Sequence, residues 1–257
     1  MAGGDSWWLK VKRAQHHMVE IQRLLRAYEE SHPYNLIPVG ESKHDHKRLY
    51  RLVMDDPDPF ITIILGEFIH NLRSALDHIV VACSARQERK HAAYPVTYID
   101  PRARDGLGQF LNPDADARDA FERCIRGLTA AAETVVIGSQ PYAGGDVETA
   151  RIGVINRLEN ADKHRQLIVV SNGLHDPIFE FNIAGYVDRF ADRLPSDHFA
   201  ENGAIIEFDP PPFNLEMDVQ VSGTPIVTVK VSRIGGNQPP IDIPIGDCIL
   251  DTRFGLL

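Results

Sequence analysis

Glu67, His70, Asn71, Ser74, Asp77 and His78 fall on one side of a segment when successive residues are turned by 100°. Leu65, Phe68, Ile69, Leu72, Leu76, Ile79 and Cys83 fall on the other. A helix face that merely meets water fills with Lys and Glu, which are good helix formers and cost nothing when exposed. This face carries imidazoles, carboxyls and an amide, groups that exchange protons or hold ligands near neutral pH. Two more polar residues stand where apolar ones belong. His17 lies on the shoulder of an apolar face, between Ala14 and Ile21 and close to Leu24. Asp162 shares a face with Ile155 and Leu158, at spacings of three, four and seven. An inward carboxylate is unfavourable unless paired, so a partner is expected among Arg73, His70 and His78. A polar network that only fixes helix docking is an equal reading of these residues.

Three helices must position these groups. The first is expected from about Ser6 to Ser31, where Trp7, Val11, Ala14, Met18, Ile21, Leu25 and Tyr28 recur at three- and four-residue spacing. Tyr34 to Val39 and Lys47 to Met54 read as a hairpin around a loop containing His44, Asp45 and His46. The second helix is expected from Phe60 to about Ala85, with Asp58 as cap and Pro59 at its first position. A short amphipathic helix is expected near Ala115 to Arg126, and a last one from about Val147 to Arg165. Leu167 to Val170, Ile178 to Ile183, Ala204 to Phe208, Met217 to Val221 and Ile226 to Val231 then look like short strands. The expected class is α+β: a helical bundle over 1–165 with a hairpin at about 34–54, followed by a β-rich part over 166–257.

Composition limits the function classes. A net charge of -9 argues against a broad basic footprint for nucleic acid, although a local basic site would escape this test. The first fifteen residues carry Lys10, Lys12 and Arg13 and no apolar run of the secretory kind. The longest apolar run, around Phe60 to Leu65, is too short to span a bilayer, so no membrane partner is expected. Cys83, Cys124 and Cys248 are odd in number and form no Cys-x-x-Cys pair, which reads as free thiols in a cytoplasmic protein. Neither a P-loop, a dinucleotide fingerprint nor Gly-x-Ser-x-Gly is present.

His70-Asn71-Leu72-Arg73-Ser74-Ala75-Leu76-Asp77-His78, followed by Asn160-Ala161-Asp162-Lys163-His164-Arg165, resembles the signature of a bacterial family of hypothetical proteins. That resemblance implies a fold for the helical part and no mechanism. Arg73 and His78 also resemble the Arg-x4-His pair of the HEPN ribonuclease superfamily, α-helical, often dimeric and metal-independent proteins, many from toxin or phage-defence systems. The resemblance implies RNA as partner, a homodimer and no cofactor. It implies that Arg73 holds or polarises the scissile phosphate and that His78 transfers protons. The polar face of the second helix and the inward carboxyl add His70, Asp77 and Asp162 as further candidate catalytic residues. RNA cleavage by its own 2′-hydroxyl needs such a base and such a cation. A second hypothesis is one divalent transition metal held by His17, His70 or His78, and Asp162 from three helices. Glu67-Phe68-Ile69-His70 matches one Glu-x-x-His element of a di-iron bundle, but no second copy follows. A non-catalytic interaction protein is the third.

Overall fold

The structure is a computed structural model. It describes residues 6–44, 46–85, 87–112, 114–144, 151–164, 167–183, 186–190, 199–209, 217–231 and 241–245. The class is α+β, with helices first and antiparallel strands after them.

Helix α1 spans Ser6–Glu30 and helix α2 Phe60–Cys83. They run antiparallel, because the hairpin β1 (Tyr34–Glu41) and β2 (Arg48–Met54) reverses the chain between them. At one end of the pair the Tyr28 hydroxyl donates to the Asp55 carbonyl at 2.6 Å. The start of α2 follows the expected chemistry. The Asp58 carboxylate accepts from the Phe60 amide at 2.8 Å, and Pro59 already has helical backbone angles. Ile61, Ile64, Leu65, Phe68 and Ile69 bury the apolar stripe of α2 against Ala14 and Ile21 of α1. Helix α3 (Ala115–Ile125) is the expected amphipathic one, capped by Asp114, whose carboxylate accepts from the Ala117 amide. Helix α4 (Ala130–Gly138) was not expected. Its run of Ala and Val has no helical periodicity to reveal it. Helix α5 (Arg151–Lys163) is the last, and places Ile155, Leu158 and Ala161 in the core shared by α1 and α2. Of the rest of the range expected for it, 147–150 and Arg165 lie outside the described residues, and His164 is a turn at its end.

The β part differs from the expected string of short strands. Leu167 to Val170 and Ile178 to Ile183 belong to one strand, β3 (Leu167–Ile183). The Met217 and Ile226 runs likewise fuse into β7 (Met217–Val231), after β4 (Tyr186–Phe190), β5 (Phe199–Glu201) and β6 (Ile205–Phe208). β3 and β7 pair antiparallel along their whole length, with register shifts at Ser171/Gly173 and His175/Ile178. These two irregularities broke the sequence pattern into pieces. β8 (Ile241–Pro244) extends the sheet, whose order is β4-β3-β7-β8 with β5 also on β3.

The hairpin is not confined to the helical part. β2 pairs with β6 to give a second sheet, β1-β2-β6. Leu36, Tyr50, Leu52 and Met54 then share a core with Leu174, Phe179, Ile206 and Phe208. The α1–α2–α5 layer meets the larger sheet through Leu167, Val169, Val227 and Val229. Among the described residues no helix is long and apolar enough to cross a membrane.

Candidate functional site

The face of α2 that turns away from the core forms the floor of an open cleft of about 520 Å³. Ile63, Gly66, Glu67, His70 and Asn71 line that floor. α1 forms one wall with Lys10, Arg13 and His17, at the i, i+3 and i+7 spacing of a single helix face. α5 contributes Asp162. Asn71 is tied to its own helix, its side-chain amide donating to the Glu67 carbonyl at 2.7 Å.

His17 is 3% exposed, and its Nε2 lies 3.3 Å from Oε2 of the more exposed Glu67. Burial lowers its pKa below the ordinary 6.5, and the positive charge of Arg13 lowers it further, while Glu67 opposes both. Burial thus favours the neutral imidazole of His17, which stands beside a carboxylate that stabilises its protonated form. Asp162 lies against Gly66 so closely that a Cβ there would stand 2.5 Å from its Oδ1. Burial raises the Asp162 pKa above the ordinary 3.8; His70 counters the rise and the neighbouring Glu159 adds to it.

Behind the cleft a second group of charges is fully engaged. The Glu159 side chain is only 8% exposed and has three cationic or imidazole neighbours. They are Lys163 Nζ at 3.0 Å, His70 Nδ1 at 3.5 Å and Arg73 Nε at 3.7 Å. Arg73 donates through Nη1 to Asp77 Oδ1 at 2.7 Å and through Nη2 to the Tyr94 carbonyl at 2.8 Å. Asp77 Oδ1 also accepts from the Tyr94 amide at 2.9 Å. Arg73 and Asp77 together therefore clip the irregular segment around Tyr94 onto α2.

Of the residues singled out in the sequence, His17, His70 and Asp162 come together in the cleft. Arg73 and Asp77 lie beneath it as a structural clasp. His78 is not among the cleft residues, and its buried Nδ1 has no hydrogen-bond partner among the described residues. The partner expected for Asp162 is therefore His70, through charge, whereas Arg73 is committed to Asp77, Tyr94 and Glu159. Sequence reasoning missed Glu159 as the buried anion. Its position four before Lys163 and one turn before Asp162 was the available signal. It also missed Gly66, whose absent side chain makes room for Asp162.

No three His, Cys, Asp or Glu side chains among the described residues are grouped to hold a metal ion. His44 and His46 are exposed, and Asp45 and Cys248 lie outside the described residues. Cys83 is exposed, and burial pushes the half-buried Cys124 thiol up from its ordinary pKa. No family model, curated protein or solved structure matches the chain.

Proposed function

We propose that the cleft is an acid–base site acting on a phosphodiester, and that the protein is a metal-independent ribonuclease. One observation carries the reading: a neutral-leaning imidazole and a protonation-prone carboxyl line the same cleft, beside two cations. In this reading His17 accepts the proton of the ribose 2′-hydroxyl as that oxygen attacks phosphorus. Glu67 stabilises the resulting imidazolium. Asp162, whose protonated form burial favours, donates its proton to the departing 5′-oxygen, giving a 2′,3′-cyclic phosphate and a free 5′-hydroxyl. Lys10 and Arg13 balance the charge that builds on the phosphoryl oxygens.

The reaction class is the one that the HEPN resemblance implies, but the roles move. Arg73, with three partners in place, acts as a positioning residue, and His17 replaces His78 as the base. The test is cleavage of a mixed-sequence RNA oligomer in EDTA by the wild type, His17→Ala and Asp162→Asn. Each substitution is expected to lower the rate at least 100-fold without changing the circular dichroism spectrum. RNA left intact by the wild type, or cut equally by both variants, would refute the proposal and leave the cleft as a docking network.

A further inference from the structure

The cleft has a chemical polarity along α2. His17 stands beside Glu67, and because α1 runs antiparallel to α2, Lys10 and Arg13 lie beyond it towards His70 and Asn71. At the opposite end the floor is Ile63, whose large side chain is 57% exposed. Phe60, one turn earlier on the same helix face, is 50% exposed. Ile63 on the cleft floor and Phe60, one turn beyond the lining on the same helix face, form an exposed apolar step that leads into an otherwise polar trough. Seven residues separate Ile63 from His70, a rise of about 10 Å at 1.5 Å per residue. That length is comparable with the separation of a nucleobase from the next phosphate in an extended strand.

Resting on the acid–base reading, we infer that Ile63 and Phe60 form a platform for one unpaired nucleobase, while Lys10 and Arg13 hold the adjoining phosphate. The ligand class is single-stranded RNA, bound in one direction along α2. A duplex cannot offer an unstacked base to such a step, and an apolar surface accepts the face of any base, so binding is strand-selective and tolerant of sequence. The two ends are also complementary to the two halves of a nucleotide, since Lys10 and Arg13, the Lys and Arg side chains among the described cleft residues, stand at the phosphate end.

The experiment measures binding independently of cleavage. The probe is a fluorescein-labelled 2′-O-methyl oligonucleotide, whose blocked 2′-oxygens prevent cleavage, compared by anisotropy with an abasic strand of equal length. The wild type is expected to bind the intact strand at least tenfold more tightly than the abasic one. Ile63→Ser and Phe60→Ala should each remove most of that difference and leave abasic binding unchanged, whereas Arg13→Gln should weaken both strands. Both apolar side chains are largely exposed, so their replacement leaves the fold intact, and circular dichroism checks this. Equal affinity for the two strands, binding of neither, or unchanged affinity in Ile63→Ser would overturn the platform. The first of these results would signal attraction by charge alone. Cleavage of unmodified RNA that persists in that case would keep the acid–base reading, and binding of the probe with no cleavage of unmodified RNA would sink that reading alone.

Discussion

Gly66→Ala tests the construction of the site most directly, because two opposing effects can be set against each other. Gly66 is buried within α2, so alanine should favour the helix by about 1 kcal/mol through reduced backbone freedom. The new Cβ would meet Asp162 Oδ1 at 2.5 Å, Cγ at 2.8 Å and Oδ2 at 2.9 Å. All three carboxyl atoms must retreat by several tenths of an ångström, and overpacking of this kind costs about 1–3 kcal/mol. The expected balance is a loss of about 1 kcal/mol. In an Asp162→Ala background the obstruction is gone and only the helix gain remains. The two substitutions should therefore couple by about 2 kcal/mol, well above the few tenths found between independent sites. Urea unfolding of the wild type, both single variants and the double variant supplies the cycle, and RNA cleavage follows the displaced carboxyl with a loss of 10- to 100-fold. Equal stabilisation by Gly66→Ala in both backgrounds would show that Asp162 does not rest on Gly66, and the acid–base geometry would fall with it.

Arg73→Ala should cost about 3 kcal/mol, because it strips partners from Asp77, Glu159 and the Tyr94 carbonyl together; an urea midpoint within error of wild type would contradict the clasp. Asp162→Asn should stabilise the protein at neutral pH. The folded pKa is raised, so the ionised carboxylate costs stability at neutral pH, and the gain should shrink as pH falls below the raised folded pKa and vanish at the ordinary unfolded value. Thermal melts of wild type and variant between pH 3 and pH 8 read this directly, and a constant difference would argue against a buried carboxyl. Because His17 is lowered from 6.5 and Asp162 raised from 3.8, cleavage should show a bell-shaped pH profile with its maximum on the acid side of neutrality. A plateau extending through pH 8 would exclude Asp162 as the acid.

The elements around the site were legible because each obeys a local rule. The stripe from Leu65 to Leu72 oriented α2, although Ile79 and Cys83, expected on it, are exposed and Ala75 and Val80 are buried instead; Asp58 and Pro59 marked its start, and the face shared with Ala14 and Ile21 placed His17 inward. What was hidden depends on contacts distant in sequence. Arg73 could not be assigned to a clasp, since two of its three partners are Glu159 and a backbone carbonyl from an irregular loop. The extent of β3 was obscured by polar Ser171 and Gly173, which are tolerated because β7 supplies the ladder opposite them. Glu159 reads as an ordinary surface glutamate until α2 is laid against α5, where His70 and Arg73 enclose it.

The junction of β2 with β6 has a consequence for synthesis. The Leu52 amide donates to the Ala204 carbonyl at 3.0 Å, and the Met54 amide donates to Asn202 Oδ1 across 148 residues. At about 5–20 residues per second, a ribosome needs on the order of 10–30 s to deliver the later partner after the earlier one. Through that interval the nascent chain holds α1 and α2 joined by a hairpin whose inner edge has no neighbour, with Leu36, Tyr50 and Leu52 uncovered. Translation halted before Ile205 would release a polypeptide that carries every residue of the cleft yet exposes a strand edge able to recruit other chains.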